Sequence, residues 1–325
     1  MRAVAFRKPG GVEVLEIVDI PRPEPGASDL LVRNFATALN RADLLQRRGL
    51  YPPPPGDSEV LGLEFAGEVA EVGGDVRGFQ RGDRVFGLAG GGGYGEFLTV
   101  HHGMAVPIPD NFSYESAAAV PEAFYTANES LFTLGRLEGT EVALVHAAAS
   151  GVGTAAVQLA AACGATVVAT AGTDEKAERA RRLGATRAVN YREEDFVEVV
   201  KSLTSGMGVH VVLDLVGAKY WERNLSCLRE GGRLLVVGFV GGARVNADLG
   251  QILFKRLAVI GTALRSRSVA DKIEITQRFV DNVLPLLERS EIKPVVDSVF
   301  PLEDVRAAHE HMEANKNTGK IILRM

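Results

Sequence analysis

From Glu141 onward the chain alternates short apolar runs with helical ones, and this pattern limits the possible folds more than any other feature. 'VALVH' leads into a helical run ending near Cys163, then 'TVVATAG', 'DEKAERARRLG', 'TRAVNY', 'EEDFVEVVKSLTSG', 'HVVLDLVG', 'YWERNLSCLREGG', 'RLLVVGFVGG', a short helix around 'DLGQILFKR', and 'LAVIGTAL'. Strands that are apolar throughout and separated by helices pair in parallel and are covered on both faces. Gly164, Gly184 and Gly206 stand where helix C-termini call for a left-handed residue.

The region before residue 120 reads differently. Its short alternating strands ('AVAFRK', 'VEVLEIVDI', 'LLVRNFATAL', 'EFAGEVAEVG', 'DRVFGLA', 'YGEFLTV') are broken by Gly and Pro, as in an antiparallel, barrel-like domain. 'GLYPPPPGDS' is a surface loop, since proline can neither continue a helix nor donate within a sheet. After Ser266 come one long helix, 'VADKIEITQRFVDNVLPLLERS', then 'VVDSVFPLEDVRAAHEHMEAN' and a last strand, 'GKIILRM'. A lone strand is not stable by itself, so it is expected to return to the barrel. The expected organisation is a barrel domain over 1–120, completed by 267–325, with an α/β domain over 121–266 inserted between the two parts.

The length, 325 residues, exceeds the usual size of one core, in keeping with two domains. A net charge of −5 gives no broad basic surface, which weighs against nucleic acid as a partner. Cys163 and Cys227 have no C-x-x-C spacing, so neither a disulfide framework nor a cysteine-rich zinc site is expected, and a reducing cytoplasm fits best. Arg2, Arg7 and Lys8 interrupt any secretory signal. The uncharged stretch between Glu141 and Asp174 is long enough to span a membrane, but Gly151, Gly153, Gly164, His146 and Gln158 interrupt it, and a buried strand–helix–strand unit accounts for it instead.

The turn in 'VHAAASGVGTAAVQ' carries two glycines where the dinucleotide fingerprint G-x-G-x-x-G has three. Ala148 takes the first position, Ser150 the second and Gly153 the last, with Gly151 one place late. Gly153 keeps the close helix–strand packing and Gly151 permits backbone approach, while Ser150 offers a hydroxyl beside the free amides of the helix N-terminus. A plain glycine-containing turn would look the same in isolation; the surrounding alternation favours a dinucleotide. The next strand ends in Gly172 and Thr173 where an acid would bind a ribose diol, leaving room for a 2′-phosphate near Lys176 and Tyr191. Asp174 is the one feature favouring the dephosphorylated cofactor.

Together with 'LNRADLLQRRGLYPPPPG', 'LGLEFAGEV', 'GDRVFGL', 'VPEAFYTA', 'YWERNLSCL' and 'EANKNTGKIIL', these residues resemble, essentially end to end, the zinc-free, zeta-crystallin-like quinone oxidoreductases of the medium-chain dehydrogenase/reductase superfamily. The resemblance implies a GroES-like barrel plus a Rossmann domain, NADPH as hydride donor, and a homodimer. It places the pyrophosphate on Ser150, Gly151, Val152 and Gly153, and the adenosine phosphate on Gly172, Thr173, Lys176 and Tyr191. Val216 and Gly217 would border the adenosine, Phe239, Val240, Leu264 and Ser266 the nicotinamide half. Asn40, Tyr51 and Thr126 would line the region where nicotinamide meets substrate, with Asn315 also near the cofactor.

Zinc alcohol dehydrogenases of that superfamily carry G-H-E-x-x-G where this chain has 'GLEFAG', and Leu63 cannot coordinate a metal. His101 and His102 are expected on opposite faces of a strand, and His309 and His311 diverge on a helix, so no metal site is expected. Without a Lewis acid, acceptors that spread charge become plausible: a quinone, or an enone taking hydride at its β-carbon. Tyr51 and Asn40 are the candidates to hydrogen-bond the acceptor oxygen; Tyr51 could equally pack on the prolines. No acid–base dyad stands out in the sequence. Two other classes remain: a non-enzymatic NADPH-binding module, and a hydrolase using Ser150, Asp214 and His309, whose nucleophile elbow is broken by Val152. The strand around Leu257–Leu264, at the sheet edge, is the expected dimer contact.

Overall fold

The computed structural model describes all 325 residues and divides the chain into two units. One comprises Met1–Tyr125, Leu264–Arg289 and Pro294–Met325; the other comprises Thr126–Ala263 and Ser290–Lys293.

The first unit is built on a sheet in the order Val296–Pro301, Lys320–Arg324, Asp29–Ala38, Glu64–Val72, Arg84–Leu88, Ala105–Pro107, with Phe97–His101 also pairing on Asp29–Ala38. The ten-residue strand Asp29–Ala38 pairs antiparallel with three others, including the C-terminal strand, where Leu323 lies opposite Thr37. Leu15, Leu39, Leu44, Leu61, Tyr94, Met312 and Leu323 form one apolar cluster that joins N-terminal and C-terminal segments.

Three local expectations fail here. 'VEVLEIVDI' is not one strand: Val12–Val14 form a 3-10 turn, begun where the Gly11 amide donates to Glu13 Oε1, and the strand covers Glu16–Asp19. The long helix divides into Val269–Asn282 and Leu284–Glu288, because Pro285 has no amide to continue the first ladder and instead sits in the opening turn of the second. His101 and His102 do not oppose each other: the strand ends at His101, and the two rings stack at 4.8 Å. His309 and His311 do diverge, the first buried and the second facing Asp297.

The second unit contains six parallel strands in the order Arg187–Asn190, Thr166–Ala171, Val142–Val145, Val209–Asp214, Leu228–Val236, Ala258–Gly261. Counted along the chain this is 3-2-1-4-5-6, the doubly wound order whose topological switch lies beside the first strand. Leu144, Val168, Val189, Phe196, Val212 and Leu234 pack together in its core. Ser290–Lys293 belong with this unit because the Gln158 side-chain amide clamps the Lys293 backbone from both sides, at 2.9 Å each.

Candidate active site

In the second unit the glycine turn opens the helix Gly151–Ala162. Ser150 is its N-cap, and its hydroxyl oxygen accepts from the Gly153 amide at 3.0 Å. The hydroxyl proton therefore points away from the helix, and the first-turn amides of Gly151 and Val152 lack intrahelical acceptors. Gly153 is the packing glycine: a Cβ there would stand 2.2 Å from the Ala147 carbonyl oxygen. The turn presents a hydroxyl donor and amides to an anion at a helix N-terminus.

At the end of the next strand, Gly172 and Tyr191 are brought together, since a Cβ on Gly172 would lie 2.7 Å from the Tyr191 hydroxyl. Thr173 caps the helix Asp174–Arg182 by accepting from the Lys176 amide at 3.3 Å, which puts Lys176 in the first turn. Asp174 is held by Asn190, whose Nδ2 donates to its Oδ1 at 3.0 Å. Farther along the sheet, Asp214 accepts from the amides of Val216 at 2.7 Å and Gly217 at 3.1 Å and is also bonded by Asn224. Gly217 has φ 79°, and a Cβ there would lie 2.6 Å from the Gly242 carbonyl and 2.9 Å from Phe239. This packs the ends of two strands together and leaves Phe239 56% and Val240 64% exposed. Thr126 is buried.

The hydrolase constellation does not assemble from these parts. Ser150 is a helix cap, Asp214 is occupied by two backbone amides and Asn224, and the His309 ring is engaged by Arg47 and Tyr94. Burial and the Arg47 charge push His309 down to about 3.

In the first unit, Leu264 and Ser266 flank Arg265, whose guanidinium lies 5.4 Å over the Tyr51 ring and donates to the carbonyls of Tyr51 and Gly90. Leu264 is buried and Ser266 exposed. Asn315 follows the helix Val305–Glu313 with φ 54°, and its side chain accepts from Arg41.

Asn40 leads to an arrangement that the sequence reading did not anticipate. Its Nδ2 donates to Glu64 Oε1 at 2.7 Å and its Oδ1 accepts from Lys320 Nζ at 2.6 Å. Lys320 also donates to Glu64 Oε1 at 2.7 Å and to the Leu39 carbonyl, while Glu64 Oε2 accepts from the Glu122 amide at 2.9 Å. Glu64 is fully buried and Lys320 nearly so. Asp43, buried on the neighbouring helix, accepts from the Asn40 amide and the Tyr94 hydroxyl, and loss of water pushes its carboxyl up to about 6. Glu122 is the second residue of a five-residue π-helical turn, Pro121–Tyr125, and burial together with the Glu64 charge pushes it up to about 8. Desolvation, then Glu122, raises the Tyr51 phenol. The signal for these residues was present in the sequence as single charges inside apolar runs: Glu64 in 'LGLEFAG', Glu122 in 'AVPEAFY', Lys320 in 'GKIIL'.

No group of three His, Cys, Asp or Glu side chains converges as a metal site would require, and Leu63 is buried beside Glu64.

A barrel-like unit and a 3-2-1-4-5-6 parallel sheet with a glycine turn at the switch point define a two-domain nucleotide-dependent dehydrogenase or reductase architecture. Residues 26–110 match the alcohol dehydrogenase GroES-like domain and residues 151–281 the zinc-binding dehydrogenase domain. A quinone oxidoreductase of Pseudomonas aeruginosa is 37% identical over 99% of both chains. The crystal structure of Escherichia coli quinone oxidoreductase complexed with NADPH superposes with a TM-score of 0.88, at 34% identity over all of both chains. The CurK enoyl reductase superposes at 0.88 as well, with 29% identity over 100% of this chain and 99% of the other. The chain belongs to the quinone oxidoreductase family of the medium-chain dehydrogenase/reductase superfamily.

Proposed function

We propose that the protein is an NADPH-dependent quinone reductase working without a metal ion. The observation that carries this reading is the floor around Leu63, Glu64 and Lys320: in the position where zinc dehydrogenases hold a ligand, this chain has leucine beside a carboxylate already neutralised by an ammonium 2.7 Å away. With no Lewis acid to stabilise an alkoxide, a quinone, which delocalises the charge it receives, is the matching acceptor. Relatives named quinone oxidoreductase, alike over their whole lengths, support the same choice.

The residues of the second unit fit NADPH. The Ser150 hydroxyl and the amides of Gly151 and Val152 suit a pyrophosphate, with Gly153 keeping the helix close beneath it. Gly172 and Thr173 leave space that an acid would have filled, Asp174 is held by Asn190, and Lys176 and Tyr191 supply a charge and a phenol for the 2′-phosphate. Val216, Gly217, Phe239 and Val240 border the remainder, with Thr126 as a further contact. The bound nicotinamide supplies the hydride. Tyr51 hydrogen-bonds the acceptor oxygen, and Asn40 holds Glu64 and Lys320 in register.

An enone double-bond reductase is the second reading, favoured by the similarity to the CurK enoyl reductase. The deciding experiment is NADPH consumption against ortho-quinones, para-quinones and enones. Turnover with quinones above enones is expected; background rates with every acceptor would leave only an NADPH-binding module.

A homodimer through the edge strand Ala258–Gly261 belongs to the same proposal. Val259 on that strand is exposed, as are Leu249, Leu253 and Phe254 on the preceding helix, and an uncovered apolar edge favours pairing. Sedimentation is expected to give twice the mass of the chain at micromolar concentration. A cytoplasmic location is consistent with two free thiols and with no helix long and apolar enough to cross a membrane.

A further inference from the structure

Three carboxyls, Asp43, Glu64 and Glu122, are gathered in the first unit against one lysine, and they are not equivalent. Glu64 is saturated: Asn40 and Lys320 occupy Oε1 and the Glu122 amide occupies Oε2. Asp43 is enclosed, with bonds to the Asn40 amide, the Gly62 amide and the Tyr94 hydroxyl, and no solvent exposure. Glu122 alone keeps a carboxyl without a hydrogen bond or ion pair inside the protein, and it alone is partly exposed. The groups acting on it are Glu64 from the strand Glu64–Val72, Asp43 from the helix Arg41–Arg47, Lys320 from the C-terminal strand, and Arg265 beside Tyr51. Its backbone lies in a π-helical turn, a rare geometry that frequently marks functional sites.

We infer that Glu122 is a catalytic residue of the proposed reduction, a neutral carboxylic acid that donates the proton needed by the acceptor oxygen as the quinone takes up hydride. This deepens, and rests on, the reading of the protein as a quinone reductase. The quinone gains two electrons and one hydrogen from the dihydronicotinamide, which is oxidised to the nicotinamide cation. The Glu122 O–H bond breaks, its proton forms the O–H bond of the hydroquinone, and the carboxylate left behind takes a proton from solvent before the next cycle. Desolvation and the Glu64 charge make the carboxylate left on Glu122 costly and favour its reprotonation, while Lys320, paired with Glu64, lowers that cost enough for the proton to leave. The charge state matches the task, because the acid that must donate is held neutral near the pH of use.

The test is Glu122→Gln in the full chain, read by steady-state turnover across pH, by the dissociation constant for NADPH, and by infrared difference spectroscopy. Gln keeps shape and hydrogen bonding but has no acidic proton. Wild-type kcat with an ortho-quinone is expected to fall tenfold per unit on the alkaline side of a limb near pH 8. In Glu122→Gln kcat drops about 100-fold and the limb vanishes, with NADPH affinity within twofold of wild type. Glu122→Asp, which retains a titrating acid, recovers part of the rate together with an alkaline limb. A carboxylic C=O band sensitive to deuterium exchange at neutral pH is expected in wild type and absent from Glu122→Gln. A wild type that reduces quinones alongside a Gln variant with unchanged kcat and limb, or a wild type without the band, overturns the assignment alone. A wild type that reduces no quinone overturns the functional reading and the assignment with it.

Discussion

Lys320 Nζ lies 2.7 Å from Glu64 Oε1, and both side chains are almost wholly removed from solvent. The two residues belong to strands at opposite ends of the sequence, each placed beside Asp29–Ala38 in the sheet. A pair of this kind contributes little over an apolar pair of the same shape, but removing one partner strands a buried charge. Lys320→Met is therefore expected to cost about 3–5 kcal/mol. Adding Glu64→Gln to it should restore at least 1 kcal/mol of that, visible in denaturant titrations of the single and double variants. Independent, additive losses would show that the pair is not coupled.

On the proposed reading, the corner at the end of the second parallel strand sets cofactor choice. Lys176→Ala removes one charge-assisted contact with the 2′-phosphate, worth about 1.5–3 kcal/mol, or roughly ten- to 150-fold in NADPH affinity. NADH, which has no phosphate there, should bind unchanged. Equal weakening of both cofactors in fluorescence titrations would redirect attention to Asp174.

Gly153→Ala tests the packing of the glycine turn. The added methyl would stand 2.2 Å from the Ala147 carbonyl and 2.7 Å from Ala148 Cα, so the helix must move off the strand. Overpacking of this kind costs about 1–3 kcal/mol, and the shift of the amides of Gly151 and Val152 should weaken NADPH as well. A variant with wild-type stability and affinity would show that this turn needs no glycine there.

Stability should fall as the solution is made alkaline from about pH 6.5 to 8. The Glu122 pKa is raised in the folded state, so its contribution is complete below its unfolded value of 4.5 and is lost as pH rises through about 8. Asp43 behaves in the same sense but finishes near 6. His146 and His309 act oppositely: pushed down to about 4 and about 3, they contribute above 6.5 and are lost below it, so they leave the alkaline window to Glu122. Chemical denaturation across pH should show the alkaline decline in wild type and not in Glu122→Gln; a decline that survives the substitution would assign it to another group.

Exhaustive treatment with a chelator is expected to leave quinone reduction intact, since no ligand cluster is present to lose a metal. Zinc bound in stoichiometric amount and released in step with activity would contradict this.

The parallel sheet was plain in the sequence because both determinants are local: apolar runs of strand length, and Gly164, Gly184 and Gly206 at helix ends, where each has a positive φ. The glycine turn was equally readable, down to Gly153 as the packing residue. What escaped was long-range. Nothing near Glu64 announces that Lys320 will neutralise it, or that Glu122 will turn its amide, not its carboxyl, toward it. His101 and His102 misled for a related reason, since strict alternation holds only while the strand continues, and it ends at His101.

The pairing of Ala38 with Ile322 has a consequence for synthesis on the ribosome. About 280 residues separate the two partners, so at about 5–20 residues per second the nascent strand Asp29–Ala38 waits on the order of ten seconds to a minute for its neighbour to be made. During that interval the Glu64 carboxylate has no ammonium to meet, and the early segments have a strong reason to stay hydrated. The intervening sheet needs none of the late residues for its six strands and is free to fold first. Chaperone capture during translation should therefore concentrate on chains stalled before residue 320 and fall away once the lysine has emerged.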